Sequence, residues 1–231
     1  MEKLFTENYD EKFRKIGIVK YDNAEIGEYN RYPQMMPWVG AKYDEGGHKK
    51  ILLIGESHYL PDCAEERFRT MEGWYYQDEE ELDKESEAWT NTRKIVGMGP
   101  TTWSNEHGLY REINKVIGSL TNQNPETENL FQYVAFYNYF LRPAHSKGLP
   151  FEYVCEEIDL NVARDAFLRI TQIIQPDYVY FFSKYAWDCL HKDALNDVNM
   201  NHFPPPSCHW WNRQMTGKEK FTLFLKDNQI F

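Results

Sequence analysis

Cysteine is scarce: Cys63, Cys155, Cys189 and Cys208 are the four in 231 residues, and no two form a CxxC pair. Structural zinc sites and iron–sulfur clusters draw on closely spaced ligands, so no metal, cluster or other cofactor is expected. Scattered cysteines read as unpaired thiols of a reducing compartment. No window approaches the roughly 20 apolar residues of a membrane-spanning helix. The first stretch, MEKLFTENYDEKFRK, is charged and lacks the apolar core of a secretion signal. A soluble, cytoplasmic protein is expected, with no membrane partner. Positive charge is also short: 26 Lys and Arg stand against 36 Asp and Glu, a formal net charge of −10. That balance argues against binding nucleic acid by bulk charge and leaves a local basic patch as the means. Internal repeats, low-complexity tracts and hinge linkers are absent.

Aromatic residues are plentiful, with 16 Tyr, 14 Phe and 7 Trp. Most belong in a core, and the surplus of Tyr and Trp is the kind of surface on which bases stack. The length suits one α/β domain over 1–231, with 1–48 as an N-terminal extension packed on it. Within 1–48 a weak helical pattern runs from Leu4 to Ile16, and Tyr32 to Gly40, broken by two prolines, reads as an ordered loop. Ile51-Leu52-Leu53-Ile54 is an unbroken apolar run that suits a strand covered on both faces. Gly55 ends it, and Glu56, Ser57, His58 and Tyr59 follow. Further strands are expected at Val134–Tyr137 and Tyr178–Phe182. Helices are expected at Asp78–Val96 (its acidic run a solvated face), from Ser104 to Leu120, from an Asp159 cap to Gln175, and after Ser183. His202 to Arg213 reads as a stiff extended loop through Pro204-Pro205-Pro206. Lys218 to Lys226 is a final short helix or strand. Strand–helix alternation predicts a three-layer αβα architecture around a mainly parallel sheet of four to five strands. The ends after Ile54, Tyr137 and Phe182 then share one edge, where open α/β sheets place their ligands.

Three stretches, in this order, resemble the uracil-DNA glycosylase superfamily: LLIGESHY at 52–59, the region from VAFYNYFLRPAH through YVYFFSKYAWDCL, and Pro204-Pro205-Pro206-Ser207. The likeness covers roughly 49–215. It implies that fold, and an N-glycosyl hydrolase of DNA repair acting on a flipped uracil-type base. Gly55 and Tyr59 match the long form of the first motif and would line the base pocket with Asn138, the base-reading amide. Glu56 stands where an acid or amide is common. Ser57 replaces the water-activating Asp, and His58 a Pro. In the last motif Pro205 replaces the His that stabilises the departing base, and His202 or His209 is the nearby substitute. Ser207, Arg142 and Arg213 would contact phosphates. The iron–sulfur branches need a cysteine set that this chain lacks.

Hydrolysis of an N-glycosidic bond needs a base turned out of the stack, an acceptor for its developing negative charge, and a water aimed at the sugar. Asn138 can donate to and accept from a uracil edge. Trp103 and Trp74 are both open as the stacking ring. Glu56 is the carboxylate placed to position water, and His58, with an ordinary pKa near neutrality, is a general base. Two other functions stay open. One is a non-catalytic nucleotide or nucleic-acid binding module of the same fold. The other is an esterase-type hydrolase with Ser57 as nucleophile and His58 or His209 as base, although Tyr59 replaces the second glycine of Gly-x-Ser-x-Gly.

Overall fold

Leu52 and Ile54 point to one side of their strand and Ile51 and Leu53 to the other, and all four are fully buried. A strand with no solvent face must lie inside a sheet covered twice. The computed structural model describes residues 3–16, 18–21, 24–76, 82–190, 198–206, 211–213 and 216–231. In chain order the elements are α1 (Asp10–Ile16), β1 (Ile18–Tyr21), β2 (Ala24–Gly27), α2 (Glu28–Arg31), β3 (Trp38–Val39), β4 (Ile51–Gly55), α3 (Met71–Tyr75), α4 (Lys84–Thr90), α5 (Thr92–Gly97), α6 (Gly108–Thr121), β5 (Ala135–Asn138), α7 (Glu157–Ile174), β6 (Tyr178–Phe181), α8 (Lys184–Cys189), β7 (Asn199–His202) and α9 (Gly217–Asp227).

Five strands form a mixed sheet in the order β3-β5-β4-β6-β7. The last four run parallel, and β3 pairs antiparallel with β5 at the edge. β1 and β2 form a separate antiparallel hairpin. One face, with Leu52, Ile54, Tyr137, Val179 and Phe181, packs on the apolar stripe of α7: Val162, Ala166, Ile170 and Ile174. Phe13 and Tyr29 from the N-terminal region join it. The other face, with Ile51, Leu53, Phe136 and Tyr180, meets Ile113, Val116 and Ile117 of α6 and Phe221 and Leu225 of α9. Each such side chain contributes roughly 1.5–3 kcal/mol by leaving water. The protein is therefore α/β, with a mostly parallel five-stranded sheet between helical layers. Among the described residues no helix is long and apolar enough to cross a membrane.

The structure corrects several local expectations. The segment Tyr32–Gly40 is not only a loop, because its Trp38 and Val39 form the antiparallel edge strand on β5. β7 supplies a fourth parallel strand just before the prolines, through Asn199–His202. The helix expected over Asp78–Val96 is split: Asp83 caps α4 and Asn91 caps α5, each side chain accepting from backbone N–H groups of the next turn. Residues 77–81 of the acidic run lie outside the described residues. Glu156, not Asp159, is the N-cap of α7, and Asp159 is its partner in a capping box. The C-terminal element is the helix α9.

Candidate functional site

β4 and β5 are neighbours in register, so Gly55 stands opposite Asn138 at the carboxyl end of the sheet. The pairing does not stop there. Tyr139 N–H donates to Gly55 O at 3.1 Å, Phe140 N–H to Glu56 O at 2.9 Å, and Ala144 N–H to His58 O at 2.8 Å. Leu60 N–H returns a bond to Ala144 O at 3.1 Å. The two exit loops thus run side by side and hold their side chains at fixed spacing. Gly55 is needed for this. A Cβ built there would stand against Asn138 Oδ1, well inside contact distance, with Phe136 Cζ at 3.2 Å.

Asn138 is 7 % exposed, and no hydrogen bond joins its carboxamide to a described residue. Glu56, half-buried just past the end of β4, is held firmly. Ser183 Oγ donates to Glu56 Oε2 at 2.6 Å, and Phe151 N–H donates to Oε1 at 3.1 Å. Ser183 is itself fixed, because it follows β6 and its Oγ accepts from Ala186 N–H as the N-cap of α8. A carboxylate has about four lone-pair sites, so Glu56 keeps capacity for a water or a ligand. Tyr59 lies close by, and its phenol is pushed up first by burial and then by the Glu56 charge. Asn138 therefore lies over Gly55 on the side of Phe136, and Tyr59 lies near Glu56, on adjoining strand ends at one edge of the sheet. Ser183 and the Phe151 N–H, which complete the Glu56 site, were not singled out from sequence. The available signal for Ser183 was its position directly after a buried strand, level with the ends of β4 and β5.

Other candidates go elsewhere. His58 is buried, with Nε2 2.9 Å from Thr92 Oγ1, and burial holds its pKa down to about 4 despite a hydrogen bond with the Trp89 backbone. It is a structural histidine, not a near-neutral base. Ser57 is half-buried, and no hydrogen bond joins it to His58, which removes that dyad. Arg142 is 1 % exposed and makes a two-pronged ion pair with Asp159, at 2.9 Å from Nε and 2.5 Å from Nη2. Its remaining donors reach Arg69 O and Val154 O. No phosphate can approach that guanidinium. Asp159 drives this arrangement, accepting also from Tyr75 at 2.7 Å. Trp74 is buried and stacks on Tyr32 at 4.1 Å, and Trp103 packs on Tyr110 and Phe131 with its Nε1–H on Ile95 O. Both are core rings, so neither is the stacking platform. His202 ends β7 and lies flat on Trp187 at 4.7 Å. Arg213 is exposed, beside Trp211 and Lys218. Ser207 and His209 lie outside the described residues.

Two surface hollows stand out. One, of about 330 Å³, is lined by residues including Arg69, Glu72, His145 and Cys155, and the other, of about 190 Å³, by Trp211, Arg213 and Lys218. Neither is lined by Glu56 or Asn138. Among the described residues no group of three or more His, Cys, Asp or Glu is placed to hold a metal ion. No protein-family model matches the chain, and no curated protein matches it.

Proposed function

We propose that the carboxyl edge of the sheet binds a uracil-type base turned out of a DNA strand, and that the protein acts there as an N-glycosyl hydrolase of the uracil-DNA glycosylase type. One observation carries this. The ends of neighbouring strands bring to one edge of the sheet a nearly buried carboxamide with no hydrogen bond to a described residue, Asn138, and a carboxylate held by two donors, Glu56. A uracil edge offers Asn138 both an acceptor and a donor. Glu56 is held by two donors, which suits it to stabilise positive charge growing on the sugar and to aim a water, more than to remove a proton. A single-stranded substrate fits the acidic chain and lowers the price of extruding the base.

A second function, base binding without hydrolysis, is favoured by the withdrawal of His58 and Arg142 into structural contacts, which takes away the near-neutral base and the phosphate-binding cation expected there. The test is incubation with a uracil-containing single-stranded oligonucleotide, followed by alkali and a count of strand breaks. Slow cleavage is expected, lost in Asn138→Ala and reduced on the order of 100-fold in Glu56→Gln, the size of effect a positioned acid–base group supplies. Binding without cleavage assigns the second function. Neither binding nor cleavage ends both.

A further inference from the structure

We infer that the hollow beside Tyr153 is a second subsite for single-stranded nucleic acid, taking a nucleotide that flanks the one at Glu56, with its base stacked on the Tyr153 ring and its phosphate on Arg69. This subsite deepens the function proposed for the edge, and the class of its ligand rests on that proposal. One 3₁₀ turn, Phe151–Tyr153, ties the two places together. Phe151 opens the turn fully buried, and its N–H holds Glu56 Oε1 at 3.1 Å. Tyr153 closes the turn and is 75 % exposed, the most exposed large apolar side chain among the described residues. Two peptide units separate them, so their Cα atoms lie within about 7 Å of each other.

Tyr153 and Val154 give the hollow of about 330 Å³ apolar lining, and Arg69 and His145 belong to the same lining. Every base has an apolar face that can stack on an aromatic ring. Arg69 is set in place before any ligand comes. Its Nη2 donates to Pro61 O at 2.8 Å, with Asp62 O at 3.3 Å and Ala64 O at 3.4 Å, while no hydrogen bond joins Nη1 to a described residue. A guanidinium fixed in this way loses little further freedom on meeting an anion. Its ion pair with Glu66, 3.6 Å from Nε, is with a carboxylate left mostly in water.

His145 reports the field in the hollow. Burial lowers its pKa first, and the Arg142 and Arg69 charges lower it further, against a hydrogen bond with the Arg69 backbone and the Glu66 charge. An anion bound beside Arg69 favours the charged ring. Glu72 and Glu156 also line the hollow. Their carboxylates accept from the N–H and O–H groups of a base or sugar and repel a second phosphate. Stacking needs no bulk positive charge, so the subsite gives a chain of net charge −10 a hold on a strand that does not depend on uracil.

The test is the affinity of the whole protein for two single-stranded oligonucleotides of one sequence, one with a central uracil and one with thymine in its place. Tyr153→Ala is expected to weaken both about tenfold, the size of one base–aromatic stack, and Tyr153→Phe to weaken neither. Removing the base next to the uracil, on its 5′ or its 3′ side, is expected to cost the native protein the same factor and Tyr153→Ala nothing more. The His145 ring, followed by NMR, is expected to titrate at higher pH in the complex. Full affinity in Tyr153→Ala, a loss that does not depend on a flanking base, or a His145 titration unmoved by binding would overturn the inference. If Asn138→Ala weakens the uracil oligonucleotide and Tyr153→Ala weakens neither, the subsite fails and the proposed function stands. If Tyr153→Ala weakens both and Asn138→Ala neither, the subsite stands and the function proposed for the edge fails. Binding of neither oligonucleotide ends both.

Discussion

Asn138 Oδ1 fills the space over Gly55 that a side chain on that glycine would occupy. The contact joins the end of one central strand to the end of its neighbour, one residue before Glu56. The absence of one carbon atom in the sequence is therefore part of the candidate site.

Gly55→Ala follows directly. The added methyl must displace the Asn138 side chain or shift Phe136, whose ring carbon would be 3.2 Å away. Overpacking of this kind costs about 1–3 kcal/mol. Urea denaturation is expected to show that loss, and uracil-oligonucleotide binding is expected to fall as far as in Asn138→Ala. Wild-type stability together with wild-type binding would contradict the arrangement.

His58 gives a pH dependence. Burial lowers it from an ordinary 6.5 to about 4, so the unfolded chain takes up the proton first as pH falls. Its contribution is fully present above pH 6.5 and is lost between there and pH 4. It amounts to about 3 kcal/mol, at 1.36 kcal/mol per pKa unit. His48, His107 and His145 are lowered in the same direction by burial and add to the slope. The informative comparison is therefore with His58→Gln, whose unfolding free energy is expected to fall less steeply between pH 7 and pH 4.5. Equal slopes would mean that His58 is not buried as a neutral ring.

Arg142→Ala separates structure from binding. It leaves the Asp159 carboxylate, 1 % exposed, with Tyr75 and the Glu156 N–H but no cation. Removing one partner of a buried pair costs about 3–5 kcal/mol. The double variant with Asp159→Ala is expected to lose less than the sum of the singles. Oligonucleotide affinity, measured on the folded fraction, is expected to stay unchanged. A weaker affinity at full stability would restore Arg142 as a phosphate contact.

The strands with strong apolar signals were legible in the sequence. Ile51–Ile54 and Tyr178–Phe181 are buried runs, and the stripe of α7 repeats at helical spacing. β7 was not legible because Asn-Met-Asn-His is polar, and at the edge of the sheet it is held by backbone pairing with β6 and is only partly buried. β3 has two residues, too few for any periodicity. At the site, the strand ends that carry Glu56 and Asn138 run side by side, which sequence order alone can suggest through right-handed crossovers. Burial is what it could not supply. His58 directly follows two half-exposed residues yet turns inward onto Thr92, and Arg142 meets an Asp159 whose charge is hidden by packing from four segments.

The most direct test watches the Asn138 amide itself. In 15N-labelled protein, its side-chain NH2 resonances, assigned by their loss in Asn138→Ala, are followed while a uracil-containing single-stranded oligonucleotide is added. The account predicts a saturable shift of those resonances, absent when the same oligonucleotide carries an abasic site in place of the uracil nucleotide. Resonances that stay fixed at saturating uracil-containing oligonucleotide would contradict it.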